Sequence, residues 1–123
     1  MSITLGIASV LLAAGPAQAV EQVDVAYEQM VAGQDEAAIR QINANEELSP
    51  DDPARLINLG IAHARRGDTE AAREAFTSAL ANDDRQYLET SRGQWVDSHS
   101  LARQALAMLD GGKLTSNTRM ANR

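Results

Sequence analysis

The chain has 123 residues, no cysteine and a formal net charge of −6. The lack of cysteine excludes disulfides, thiolate nucleophiles and cysteine-ligated metal ions from this sequence. An acidic chain with a single lysine is poorly suited to a phosphate backbone, so we expect no nucleic-acid partner.

The N-terminal segment is typical of an export signal. Ile3 to Ala14 is almost entirely apolar or small, and Ala17-Gln18-Ala19 follows it. This order predicts a signal peptide over residues 1–19 that is cleaved after Ala19, with a periplasmic or secreted product. The apolar run is shorter than the roughly 20 residues of a membrane-spanning helix, so we expect no span after cleavage. No basic residue precedes the run, and an uncleaved anchor or a buried first helix remains an alternative.

A pattern of small and apolar residues then recurs at a spacing of 34 residues. It relates Gly33, Ala38, Ile42 and Pro50 to Gly67, Ala72, Phe76 and Asp84. Self-similarity at this period predicts stacked helical hairpins, here over residues 19–52 and 53–86. Such arrays present a surface for binding and supply no reactive groups, so we expect a binding module and not an enzyme.

The second copy has the clearest helix boundaries. Asp52 and Pro53 suit the N-cap and the first position of a helix, and Gly67 suits the left-handed conformation that ends one. Asp68 or Thr69 then caps a second helix. The apolar stripes of the two helices are Leu56, Leu59, Gly60, His63 and Ala64, followed by Ala72, Ala75, Phe76, Ala79 and Leu80.

These residues resemble the tetratricopeptide repeat family. The positions that correspond to its pattern in the second copy are Leu56, Leu59, Gly60, His63, Ala72, Phe76, Ala79 and Asp84. The resemblance implies two helices in close approach, because Gly60 and Ala72 are small. The first copy is more degenerate and carries Ala26, Gln29, Gly33, Ala38, Ile42 and Pro50. Asn45 stands where the family has alanine, so we expect it to be partly exposed or bonded to a loop carbonyl.

The C-terminal part departs from the repeat. Residues 87–97 lack helical periodicity and are predicted to be an extended linker, in which Tyr87 and Trp95 either pair across a short hairpin or form an exposed contact. A capping helix is predicted over residues 98–110, with Ser98 as its N-cap and Gly111-Gly112 after its end. Residues 111–123 are predicted to be a flexible tail. The fold class is therefore all-α: tandem helix-turn-helix repeats over residues 20–110 that form a short α-solenoid, closed by the capping helix.

The family resemblance also implies a binding groove on the first helix of each hairpin. Its residues are Val23, Tyr27, Met30, Val31, Ile57, Asn58, Ile61 and Arg65. We expect a protein or peptide partner there, an adaptor or assembly role, and no cofactor. The alternative is that these residues pack against the capping helix or a second subunit, as a homo-oligomer or a structural subunit of an envelope complex. Some members of the family clamp carboxylates, but Val23 and Tyr27 do not fit that role.

Two further patterns invite a chemical interpretation. Ser98 and His99 suggest a hydrolase, but neighbouring helical residues point in different directions and do not form a nucleophile and base unaided. We therefore expect capping roles there. Two isolated histidines, His63 and His99, do not make a metal site without carboxylates converging on them.

Overall fold

The structure is a computed structural model that describes residues 26–114. This part is mostly helical, with one short hairpin, and is compatible with the all-α prediction. In chain order the elements are α1 (Tyr27–Val31), α2 (Asp35–Ala44), α3 (Pro53–Arg65), α4 (Thr69–Ala81), β1 (Tyr87–Glu89), β2 (Trp95–Asp97) and α5 (Ser98–Asp110). The predicted signal peptide, Val23 and residues 115–123 lie outside the described residues.

Helix α3 occupies the centre of the structure. It packs against α4 most extensively, and it also contacts α1, α2 and α5. Within α3, Ile61 is half-buried and lies against all three apolar clusters of the core. The packing of the described residues is therefore organised around one helix that has four neighbours.

The three 13-residue helices, α3, α4 and α5, each begin after an aspartate N-cap. The Asp52 carboxylate accepts a hydrogen bond from the Arg55 N–H at 3.0 Å, and Asp68 accepts one from the Ala71 N–H at 3.4 Å. The prediction that Ser98 caps α5 is wrong. Asp97 is the N-cap and accepts from the Ser100 N–H at 3.2 Å, while Ser98 is the first helical residue.

The ends of α1, α3 and α5 share one backbone motif. Each has a glycine with positive φ, at +77° for Gly33, +88° for Gly67 and +71° for Gly112. The glycine N–H donates to the carbonyl three residues earlier, and the next N–H donates to the carbonyl five residues earlier, at distances of 2.8 to 3.1 Å. This motif closes each helix because it pairs carbonyls that have no partner within the helix.

The last described residues differ from the predicted tail. Residues 111–113 complete the motif that ends α5, and Leu114 is buried with Phe76, Ala105 and Leu109. A buried leucine gains from leaving water and is held against its neighbours. The prediction of a flexible segment is therefore wrong for residues 111–114.

The linker folds into an antiparallel hairpin. Tyr87 lies opposite Asp97, Leu88 opposite Val96, and Glu89 opposite Trp95. Leu88 is buried in the cluster that contains Ile57 and Ala102, and it anchors the hairpin to the helices. Of the two arrangements considered for Tyr87 and Trp95, the structure has the exposed one, since neither lies opposite the other and both are exposed.

Asn45 follows the expectation of partial exposure. It is the C-cap of α2, and its side-chain oxygen accepts a hydrogen bond from the Glu47 N–H at 2.8 Å. The side-chain oxygen thus has a loop N–H as a partner. The amide is satisfied at the surface of the turn, which removes the cost that a buried, unpaired amide would carry.

The first helices are fastened to α3 by an ion pair that is nearly buried. Arg65 Nη1 donates to the Met30 carbonyl at 2.8 Å and to Asp35 Oδ1 at 3.0 Å. The two side chains are 10% and 14% exposed, respectively. The neighbouring Arg66 makes only a 4.0 Å contact with Glu36, with both side chains well exposed.

The contact between Gly60 and Phe76 yields a first prediction. A Cβ on residue 60 would overlap the Phe76 ring, lying 2.7 Å from Cδ1 and 2.9 Å from Cζ. Overpacking in Gly60→Ala should therefore lower the free energy of unfolding by about 1 to 3 kcal/mol. The higher helix propensity of alanine should offset up to about 1 kcal/mol of this loss. Urea unfolding followed by circular dichroism measures the change.

The control for this contact is a double-mutant cycle with Phe76→Leu. The smaller side chain relieves the overlap, so the loss in the double variant should be smaller than the sum of the two single losses. Strict additivity of the two changes in the free energy of unfolding would contradict direct contact.

The ion pair yields a second prediction. Arg65→Met leaves the nearly buried Asp35 carboxylate without its cation and should cost about 3 kcal/mol of unfolding free energy. Arg66→Met removes only an exposed pair and should cost less than about 1 kcal/mol. Equal losses in the two variants, measured by urea unfolding, would show that Arg65 does not fasten α1 and α2 to α3.

Candidate docking surfaces

The structure buries three of the eight residues of the predicted groove. Met30, Ile57 and Asn58 are buried, and Met30 lies in a cluster with Ala38 and Ile42. Ile57 packs with residues of the hairpin and of α5. Tyr27 lies in α1. The burial of Ile57 beside Ala102 corresponds to the alternative in which groove residues pack against the capping helix, whereas Met30 packs against α2 and α3.

Of the groove residues whose side chains the structure describes, three keep some contact with solvent. Val31 is 64% exposed, whereas Ile61 and Arg65 are half-buried. Arg65 reaches the carbonyl of Met30, which places its guanidinium beside the end of α1 that carries Val31. The Arg65 cation is already bonded to Asp35. Among the described side chains of the groove, the exposed apolar one is therefore Val31.

A second exposed surface lies on the hairpin. Successive side chains of a strand alternate between faces, so Tyr87, Glu89, Trp95 and Asp97 share the face opposite to buried Leu88. Tyr87 is 64% exposed and Trp95 44% exposed. We call these four residues the hairpin face.

The hairpin face carries an ion pair at one end. Arg85 Nη2 donates to Asp97 Oδ2 at 2.6 Å, and Arg85 Nε donates to Asp97 Oδ1 at 3.1 Å. The hydrogen bonds from Arg85 lower the pKa of Asp97, and the same bonds raise the pKa of Arg85. The pair therefore stays ionised at neutral pH.

Sequence reasoning noticed the two aromatic residues but missed the pattern that unites them. Residues 87–89 are Tyr-Leu-Glu and residues 95–97 are Trp-Val-Asp, the same order of aromatic, apolar and acidic residue. In a hairpin this order places each aromatic residue opposite an acid. The repeated triplet is the signal that would have predicted this face.

The structure does not bring Ser98 and His99 together as nucleophile and base. The Ser98 hydroxyl is buried and accepts a hydrogen bond from the Gln86 N–H at 3.1 Å. His99 Nε2 lies 2.7 Å from the Asn82 carbonyl oxygen. The two side chains bind different residues of the loop that follows α4, and together they hold the start of α5 against that loop.

Residues 26–114 contain neither a cluster of metal-binding side chains nor a helix that could span a membrane. No group of three or more His, Cys, Asp or Glu side chains in this range is arranged to hold a metal ion. None of the helices in the same range combines the length and apolar character that crossing a membrane requires.

Comparisons of the chain with protein-family models, with curated proteins and with solved structures found no match in any of the three.

Proposed function

We propose that this chain is a non-enzymatic protein-binding module, an exported adaptor or assembly factor built from two hairpins of the tetratricopeptide type and a capping helix. In this proposal α1 and α2 form the first hairpin, α3 and α4 form the second, and α5 closes the array. The partner is a protein or peptide, and no cofactor takes part.

The observation that carries the proposal is a set of backbone hydrogen bonds at the spacing of the sequence repeat. The N–H groups of Gly33 and Gln34 donate to carbonyls of α1, and those of Gly67 and Asp68 donate to the equivalent carbonyls of α3. Every donor and acceptor in the second set lies 34 residues after its counterpart in the first. Two helix-turn-helix units that turn by the same bonds support a tandem array.

The order of packing also supports the array. Helix α3 contacts both helices of the first hairpin, and α5 contacts both helices of the second. Contact with each nearest unit is the expected arrangement of a helical-repeat protein. Helix α3 thus packs on the pair α1 and α2, and α5 packs on the pair α3 and α4.

Helix α5 has the character of a cap. Its inward face is built from Ala102, Ala105 and Leu109, all buried, whereas the outer side carries exposed Arg103 and Asp110 and the 39% exposed Met108. A largely polar outer face is what the last element of such an array requires in water. Opposite α5, the end of the array at α1 presents the exposed apolar side chain of Val31.

We therefore assign the partner contact to the surface at Val31, beside Arg65. An apolar side chain of a peptide or helix that covers Val31 would remove both surfaces from water. The position is accessible without disturbing the core, unlike Met30 or Ile57.

The test is site-specific photo-cross-linking in the cell that makes the protein. A photoreactive phenylalanine analogue at position 31 should give discrete adducts with a partner protein. The same analogue at Ser78, which is exposed on α4, is the matched control and should give none. Adducts from both positions in equal yield, or none from position 31, would contradict the proposed surface. Adducts at twice the chain mass would identify a second copy, and hence a structural assembly in place of an adaptor.

Export is tested separately by the mass of the protein. When the full chain is produced in a bacterium, the intact mass of the exported form should correspond to residues 20–123. Ala19→Leu should block cleavage because the processing site requires small residues, whereas Ala14→Leu, within the apolar run, should not. An exported product that retains residues 1–19 would exclude the predicted cleavage.

A further inference from the structure

The hairpin face contains two copies of one chemical arrangement. Tyr87 lies opposite Asp97, and Trp95 lies opposite Glu89, so each aromatic ring has a carboxylate as its cross-strand neighbour. Directly opposed side chains in an antiparallel pair have Cβ atoms about 5 Å apart. Each pair therefore combines a ring face and a negative charge within reach of one cation.

The first pair already holds a cation from the chain itself. The Arg85 guanidinium binds both carboxylate oxygens of Asp97, with Nη2 at 2.6 Å from Oδ2 and Nε at 3.1 Å from Oδ1. Tyr87 lies directly opposite Asp97. In this first pair the carboxylate opposite the aromatic residue thus already binds an arginine.

The second pair has the same groups in an accessible position. Trp95 is 44% exposed, and Glu89 is half-buried beside it. Within residues 26–114, the ion pairs of the structure involve other carboxylates and leave Glu89 without a cation. A carboxylate next to an exposed indole face is complementary to a cation in both charge and shape.

We propose that Trp95 and Glu89 bind an arginine side chain presented by a peptide segment of a partner protein. A guanidinium is favoured over an ammonium group because it stacks flat on an aromatic ring while donating two parallel hydrogen bonds to a carboxylate. This site is separate from the surface at Val31 and does not depend on it.

The sequence provides a direct reporter of binding, because Trp95 is the only tryptophan of the chain. The probe is a blocked nine-residue Gly-Ser peptide with one central arginine, titrated into the full chain while tryptophan emission is recorded. We expect a saturable change in emission, a weaker response to the lysine peptide and none to the citrulline peptide, which is neutral and similar in shape. The response to the arginine peptide should weaken as salt is added.

The decisive variant is Glu89→Gln, which keeps the size of the side chain and removes its charge. It should weaken binding of the arginine peptide about tenfold, as expected for a hydrogen bond to a charged group. Glu70→Gln makes the same change on exposed Glu70 of α4 and should leave the affinity unchanged. Far-ultraviolet circular dichroism verifies that both variants remain folded.

Three results would overturn the proposal. Equal responses to the arginine and citrulline peptides would show that charge plays no part. Equal affinities in the Glu89→Gln and Glu70→Gln variants would show that Glu89 is not the carboxylate involved. A change in Trp95 emission with protein concentration alone would identify a second copy of the chain as the occupant. None of these results bears on the cross-linking at position 31, so the two proposals fail independently.

Discussion

The close approach of α3 to α4 at Gly60 is the contact on which the rest of the described structure depends. The Phe76 ring fills the space that a side chain on residue 60 would need, and Phe76 itself is fully buried. Ala105, Leu109 and Leu114 then pack in the same cluster as Phe76. The position of α5 is thus set by how near α4 comes to α3. A close-packed interior does not accommodate an added methyl group without displacing its neighbours.

The central position of α3 explains why its four predicted groove residues are buried or half-buried. A helix with four neighbours has few side chains left for a ligand. Ile57 is covered by the hairpin and α5, and Arg65 is committed to Met30 and Asp35. Val31 lies at the end of α1, outside this central helix, and is 64% exposed.

Local signals predicted the helices well, because caps and apolar periodicity act over only a few residues. Asp52, Pro53 and Gly67 marked the boundaries of α3 as the structure has them. The N-cap of α5 was assigned to Ser98 and not to Asp97 because both residue types cap helices, and sequence alone does not separate adjacent candidates. The burial of Leu114 was not predictable for a different reason. It depends on where the hairpin and α5 dock, and contacts between distant segments leave no periodic trace in the sequence.

The hairpin presents the exposed side chains of Tyr87 and Trp95 and is attached to α5. Asp97 contributes to that attachment. Its carboxylate accepts from the Ser100 N–H at the start of α5 while it binds Arg85. Arg85 lowers the pKa of Asp97, so the carboxylate remains charged as the solution becomes mildly acidic, and both interactions persist. With Leu88 buried on the other face, the orientation of the strands relative to α5 is fixed from two sides. Trp95 and Glu89 are therefore held in place before any partner arrives, which reduces the conformational entropy lost on binding.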